Sequence, residues 1–170
     1  MGYTARVDSA TYRFADLKTL LAKATPLRSG DVLAGVAAGS AEERMAARMA
    51  LADLPLKTFL SDLVIPYESD DVTRLIVDSH DQESFGTLSG LTVGDFRDWL
   101  LAASEEQISQ VRRGITPEMA AAVSKLMRNQ DLILAARKCR VVTRFRDTLG
   151  LPGRMSVRIQ PNHPTDDPKG

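Results

Sequence analysis

The sequence predicts a mainly helical chain with a single β-strand near its C-terminal end. Aromatic residues make up only 5% of the 170 residues, so the interior must be built from aliphatic side chains and methionine, which favours helices. Apolar residues recur at helical spacing along most of the chain, and strict alternation occurs only at residues 155–160. An apolar fraction of 44% with 26% charged residues is typical of a folded globular protein and argues against general disorder.

The first half of the chain contains three predicted helical stretches. The first is an apolar stripe from Phe14 to Ala24, followed by a polar, glycine-containing stretch at residues 25–31. Ser40 and Glu43 match a capping box, which predicts a second helix that starts near residue 41. A short third piece contains Val72, Leu75 and Ile76, and residues 80–90 are predicted to be a loop.

The second half contains stronger helix signals. Thr92 is a predicted N-cap for a helix with Phe96, Trp99 and Leu100, and Ser104 caps another that ends at Gly114. The clearest helix begins at Thr116-Pro117-Glu118, where each residue suits its position at a helix start. Its apolar face reaches about Cys139, with a possible break near Asn129.

The alternating segment 155–160 predicts a β-strand with two different sides. Met155, Val157 and Ile159 share one side, and Ser156, Arg158 and Gln160 share the other. A lone strand leaves its backbone groups unpaired, so its partners must come from the N-terminal residues, another chain or a continuation of this one. We therefore divide the chain into a helical domain at 1–113 and, at 114–170, a long helix followed by this strand.

Several protein classes are not expected. No uncharged run is long enough for a membrane-spanning helix, and the first residues lack the apolar region of a secretory signal. Arg6 stands where a myristoylation motif requires Ser or Thr, and Cys139 alone cannot form an internal disulfide. These features predict a soluble, cytoplasmic protein with no membrane partner.

Charge is distributed unevenly along the chain. Residues 1–110 carry 10 basic and 17 acidic side chains, whereas residues 111–158 carry 11 basic and 3 acidic ones. Solvated helix faces and an internal contact between the two halves explain this simply, and a basic surface for an anionic partner is the alternative. Nucleic acid is not expected as a partner, because no basic motif with interleaved aromatic residues accompanies the charge.

Few residues suggest catalysis or metal binding. His80 and His163 lack metal-ligand spacing, and Cys139 has no nearby His to activate it, so we expect loop histidines and a core or semi-buried thiol. The acidic pairs Asp70-Asp71 and Asp166-Asp167 are expected to be solvated. The glycines at 30, 35 and 39 match neither a P-loop nor a dinucleotide fingerprint and are expected to serve a turn and helix packing.

Arg158 and Gln160 are the exception. They lie two strand positions apart and therefore point the same way, about 7 Å apart along the backbone. On the outer face of a sheet such a pair would be unremarkable. On the inward face of a barrel strand, near its C-terminal end, it would be a polar ligand-binding pair.

Four segments resemble the large (heavy) chain of ethanolamine ammonia-lyase. They are LLAKATPLRSGDVLAGVAA (20–38), SDDVTRLIVD (69–78), GITPEMAAAVSKLMRNQDLILAARK (114–138) and LGLPGRMSVRIQPN (149–162). The resemblance runs to about residue 167. It implies a helical N-terminal region that leads into the first strand of an incomplete (β/α)8 TIM barrel. It also implies an adenosylcobalamin-dependent radical deamination of ethanolamine to acetaldehyde and ammonia.

The resemblance assigns substrate binding to Arg158, Ile159 and Gln160, with the Arg and Gln side chains contacting the substrate and Ile159 facing the other way. It implies a light-chain partner, a heavy-chain homo-oligomer, and residence in the cytoplasm or a bacterial microcompartment. No catalytic, cofactor-binding or metal residue is assigned, because the family's other ligands have no counterpart in these 170 residues. A complete barrel needs about 250 residues, so we expect this chain alone to be inactive. The alternatives are a non-catalytic helical assembly module that contacts other lyase subunits, and a helical protein that binds an anionic ligand.

Overall fold

The computed structural model describes residues 2–27 and 37–143, with side chains to residue 139. This part of the chain is mostly helical, as predicted. A small antiparallel sheet precedes the helices. The helices are α1 (Leu17–Ala24), α2 (Ala41–Ala52), α3 (Thr58–Ser61), α4 (Asp71–Asp78), α5 (Gln82–Gly86), α6 (Val93–Ala102), α7 (Glu105–Val111), α8 (Pro117–Lys125) and α9 (Asn129–Thr143). Single 3₁₀ turns lie at Tyr67–Ser69 and Arg112–Gly114.

The sheet is a hairpin that the sequence analysis missed. Strands β1 (Tyr3–Val7) and β2 (Ala10–Phe14) pair antiparallel with Tyr3 opposite Phe14 and Val7 opposite Ala10. Asp8 begins the two-residue turn with a φ of 52°, a left-handed conformation that aspartate tolerates better than most residues. Phe14 therefore ends a strand, and the predicted helix from Phe14 starts only at Leu17.

One continuous hydrophobic core joins the hairpin to the helices. α1 and β1 pack against α2, α6 packs against α8, and α7 packs against α9. The largest side chains with less than 2% exposure include Leu20, Leu51, Phe96 and Met119, one from each of α1, α2, α6 and α8. The core is thus built from aliphatic residues with a few phenylalanines, as the composition predicts.

The predicted N-caps are confirmed. Ser40, Thr92, Ser104 and Thr116 each accept a hydrogen bond from the backbone N–H three residues further on. Thr92 and Ser104 form complete capping boxes. At α2 the Glu43 carboxylate accepts a hydrogen bond from Gly39 N (2.6 Å), which lies one residue before the N-cap Ser40.

Two predicted elements differ from the structure in detail. Residues 80–90 are not all loop, because Asp81 accepts bonds from the N–H groups of Glu83 and Ser84 and starts α5. The long helix from Thr116 is interrupted, as the sequence indicated, with α8 ending at Lys125 and α9 beginning at Asn129. The predicted strand 155–160 lies outside the described residues, and the domain division at residue 113 stays a prediction.

Candidate functional site

The residues predicted to bind substrate lie outside the described part of the chain. This applies to Arg158, Ile159 and Gln160, and equally to His163 and the Asp166-Asp167 pair. Their roles therefore stay predictions. The described residues contain a different set of interacting polar groups, which the sequence analysis did not identify.

We call this set the polar cluster: Lys23 and Thr25 at the end of α1, Glu43 and Arg44 in α2, and Lys125 at the end of α8. Its centre is Thr25, which is 6% exposed. The Thr25 hydroxyl donates to Leu21 O (3.3 Å), and Arg44 Nε donates to Thr25 O (3.2 Å). These bonds satisfy polar groups at the C-terminal end of α1, where the helix itself leaves carbonyls without partners.

Lys125 is the most buried charged side chain of the polar cluster, at 3% exposure. Its Nζ donates to Thr25 Oγ1 over 2.8 Å, across 100 residues of sequence. Removing an ammonium group from water costs free energy unless hydrogen bonds replace the lost hydration. The bond therefore satisfies the ammonium group and also holds the end of α8 against the end of α1.

The remaining bonds connect the two sides of residues 28–36. Lys23 Nζ donates to Ala37 O (3.1 Å) and lies 3.5 Å from Glu43 Oε1, and the other oxygen of that carboxylate accepts from Gly39 N. Lys23 and Thr25 precede residues 28–36, whereas Ala37 and Gly39 follow them. The polar cluster thus holds the chain on both sides of residues 28–36, which form most of the segment RSGDVLAGVAA (28–38) on which much of the family resemblance depends.

Chemically, the polar cluster is suited to holding backbone rather than to reacting. It combines three cationic side chains with one carboxylate, and its hydroxyl both donates and accepts. It has no histidine or thiol to serve as a base or nucleophile. We therefore assign it a structural role next to the family-specific segment.

Lys138, outside the polar cluster, also contacts backbone oxygen atoms. Its Nζ donates to Leu101 O (2.6 Å) and Ala103 O (2.7 Å), and more weakly to Leu100 O (3.4 Å). These carbonyls end α6, where the helix dipole is negative and a cation is favourable. Two cations from the mostly basic residues 111–158 thus bind other parts of this chain, since Lys125 and Lys138 both contact the first 110 residues. Arg128 pairs with Asp131.

The other predicted features have structural explanations. His80 is half-buried in the turn after α4, where its Nε2 donates to Gly114 O (3.0 Å) and its ring contacts Phe85. Cys139 is semi-buried, as predicted, and burial raises the pKa of its thiol, which disfavours the thiolate. Asp70 does not lie in a solvated loop, because it caps α4 by accepting from Thr73 N (2.7 Å).

Neither a metal centre nor a membrane span is evident in what the structure describes. Across residues 2–27 and 37–143, no group of three His, Cys, Asp or Glu side chains is placed to hold a metal ion. No helix in the same ranges is long and apolar enough to cross a bilayer.

Comparison with known proteins gives consistent matches. The family described as ethanolamine ammonia lyase large subunit (EutB) matches residues 12–170. The ethanolamine ammonia-lyase large subunit of Escherichia coli (strain K12) is 42% identical over 158 residues, which are 92% of this chain and 35% of that protein. The protein of the same name from Salmonella typhimurium (strain LT2) shows the same identity and coverage. The chain therefore spans about a third of the length of the curated relatives it matches.

Proposed function

The chain belongs to the ethanolamine ammonia lyase large subunit family, and from this premise we propose that it is the N-terminal part of a carbon–nitrogen lyase that converts ethanolamine to acetaldehyde and ammonia. The observation that supports this is the 42% identity over 92% of the chain, at the N-terminal end of a longer enzyme. In this proposal, residues 155–160 are the first strand of the enzyme's (β/α)8 barrel. The described helices precede the barrel.

We propose that Arg158 and Gln160 bind the substrate, with Ile159 between them on the other side of the strand. Ethanolamine has one hydroxyl and one amino group. A guanidinium offers several N–H donors in a fixed plane, and an amide can both donate and accept, so the pair suits a small molecule with these two groups. Arg158 would orient the substrate and stabilise partial charge at its heteroatoms.

Adenosylcobalamin is the cofactor that the family implies, and when bound it would supply the radical that abstracts hydrogen from the carbinol carbon of the substrate. The resemblance assigns no contact with it to these 170 residues. We therefore place the cofactor contacts in the part of the relatives that has no counterpart in these 170 residues, and we expect the isolated chain to be inactive.

The implied partners follow from the same proposal. The complete protein would assemble with an ethanolamine ammonia-lyase light chain and with further copies of the heavy chain, in the cytoplasm or within a bacterial microcompartment. A non-catalytic assembly module is the competing function. It would keep these subunit contacts without the reaction.

A chimera tests these functions directly. The matched part of the E. coli large subunit would be replaced by this chain and co-expressed with the light chain, and acetaldehyde would be measured with ethanolamine and adenosylcobalamin. We expect activity that depends on the cofactor. Arg158→Lys should lower kcat/KM about 100-fold, because losing a planar charge-assisted contact costs about 2–3 kcal/mol.

Arg154→Lys is the matched control, since it makes the same chemical change four residues earlier, and it should leave kcat/KM within about twofold. A chimera that assembles with the light chain but forms no acetaldehyde would contradict the catalytic proposal and favour the assembly module. Acetaldehyde formation by the 170-residue chain alone would contradict the expected inactivity.

A further inference from the structure

Helix α9 carries apolar side chains on two opposite faces. Its inner face includes Leu132, Ala135 and Cys139, which pack against the hydrophobic core. On the other side, Ile133 is 69% exposed and Leu134 is 43% exposed. A helix that packs on a core normally has a polar outer side, whereas here two large apolar side chains lie there beside the exposed Arg137. We call Ile133, Leu134 and Arg137 the outer α9 face.

The position of the outer α9 face is fixed by contacts on the inner side. α9 packs against α6 and α7, and Lys138 is bonded to three carbonyls at the end of α6. Rotating the helix to bury Ile133 would break these charge-assisted bonds and expose Ala135, which is 7% exposed. Any cover for the outer α9 face must therefore come to it.

The sequence contains a matching segment further along the chain, at residues 155–160. Met155, Val157 and Ile159 alternate with polar residues, which gives residues 155–160 one apolar side. Such a side favours contact with an apolar surface, since three apolar side chains left in water would be costly.

The distances allow the two surfaces to meet. From Ile133 to the end of α9 is ten residues, or about 15 Å at the helical rise. The intervening residues 144–154 can span at most about 35–40 Å, and a six-residue extended segment covers about 20 Å. The chain is thus long enough to turn back along the helix.

We propose that the Met155, Val157 and Ile159 side of residues 155–160 docks on the outer α9 face. This arrangement puts Arg158 and Gln160 on the side away from α9, free to meet a ligand. The docking depends on apolar packing within this chain and holds whether or not the enzyme is a lyase.

Thiol accessibility in the full 170-residue chain tests the proposal. In a Cys139→Ser background, Ile133→Cys and Leu75→Cys would be made separately and their rates of reaction with a thiol reagent compared. Leu75 in α4 is 68% exposed, almost the same as Ile133, so it serves as the exposed reference. We expect the thiol at 133 to react at least tenfold more slowly than the thiol at 75.

Adjacent substitutions in the alternating segment identify what provides the protection. Val157→Asp should remove it and raise the rate at 133 at least tenfold, whereas Ser156→Asp on the opposite side should change the rate less than twofold. Val157→Ser is a milder variant in case the aspartate impairs folding, and circular dichroism would verify helix content.

Equal rates at 133 and 75 would overturn the proposal, as would equal effects of the two aspartates. Protection that disappears on dilution would identify a second copy of the chain as the occupant and would also overturn it. Because the readout is not acetaldehyde, failure here is separate from failure of the proposed function.

Discussion

Gly114 occupies a position where even one methyl group should be destabilising. A Cβ at this residue would lie 2.4 Å from Phe85 N, 2.6 Å from Phe85 Cα and 2.7 Å from Ser84 C. All three are backbone atoms of α5, so no side chain can rotate away. The whole helix must move by about 1 Å to restore ordinary contact, which would disturb the bond from Asp81 N to Arg113 O (3.1 Å) and that from His80 to Gly114 O.

We expect Gly114→Ala to lower the free energy of unfolding by about 3 kcal/mol, at the upper end of the usual cost of overpacking. For a chain of this length that corresponds to a fall in Tm of about 6–12 °C. Urea denaturation followed by circular dichroism, together with a thermal scan, measures both quantities.

Gly86→Ala is the matched control for this prediction. Gly86 ends α5, and a Cβ there would meet no atom within 4 Å. Alanine should therefore be neutral or stabilising by up to about 1 kcal/mol, through its helix propensity and the smaller entropy of the unfolded chain. If Gly114→Ala proved as stable as Gly86→Ala, the close packing of α5 on the 3₁₀ turn at Arg112–Gly114 would be refuted.

Two further predictions concern stability. Lys138→Met should cost about 2–3 kcal/mol in urea denaturation, because it removes the charged donor to the carbonyls that end α6; Lys57→Met, at an exposed position, should change little, and equal effects would contradict the assigned bonds. Burial and the hydrogen bond to Asp62 Oδ2 (2.8 Å) raise the pKa of Tyr3 from 10.0 to about 12. The folded state therefore holds the phenolic proton more tightly than the unfolded state, and this stabilisation is complete below pH 10 and lost as the pH rises through about 12. The difference in unfolding free energy between the native protein and Tyr3→Phe should accordingly shrink over that interval, and a difference independent of pH would contradict the Tyr3–Asp62 bond.

The features that the sequence predicted correctly depend on short-range chemistry. An N-cap needs only a side-chain oxygen and an N–H three residues away, so Ser40, Thr92, Ser104 and Thr116 were identifiable without tertiary information. The break before α9 was likewise visible as a polar residue, Asn129, in an apolar pattern.

The hairpin was missed because its signals are weak and ambiguous. Its strands have five residues each, and Asp8-Ser9 is not one of the glycine-containing pairs that mark two-residue turns. Phe14 lies three residues before Leu17, so it also fits a helical stripe. The alternation of Tyr3, Ala5 and Val7 was the signal that could have identified β1, since these residues pack against the core.

The polar cluster could not have been predicted from local patterns. Lys125 lies in a run of buried residues from Ala121 to Met127. A lysine there predicts only that some oxygen atom must accept hydrogen bonds from its ammonium group. Identifying Thr25 as an acceptor requires the fold itself. For Arg158 and Gln160 the sequence alone provides the prediction.

The contact between Thr25 and Lys125 also limits how far the N-terminal region can fold while the chain is being synthesised. A ribosome adding about 5–20 residues per second needs about 5–20 s to synthesise the 100 residues that separate them. During that time the hairpin, α1 and α2 lack both the ammonium group and the apolar surface of α8. The nascent N-terminal region should therefore expose part of its future core until α8 has been synthesised. We expect chaperones to bind this exposed apolar surface during that period.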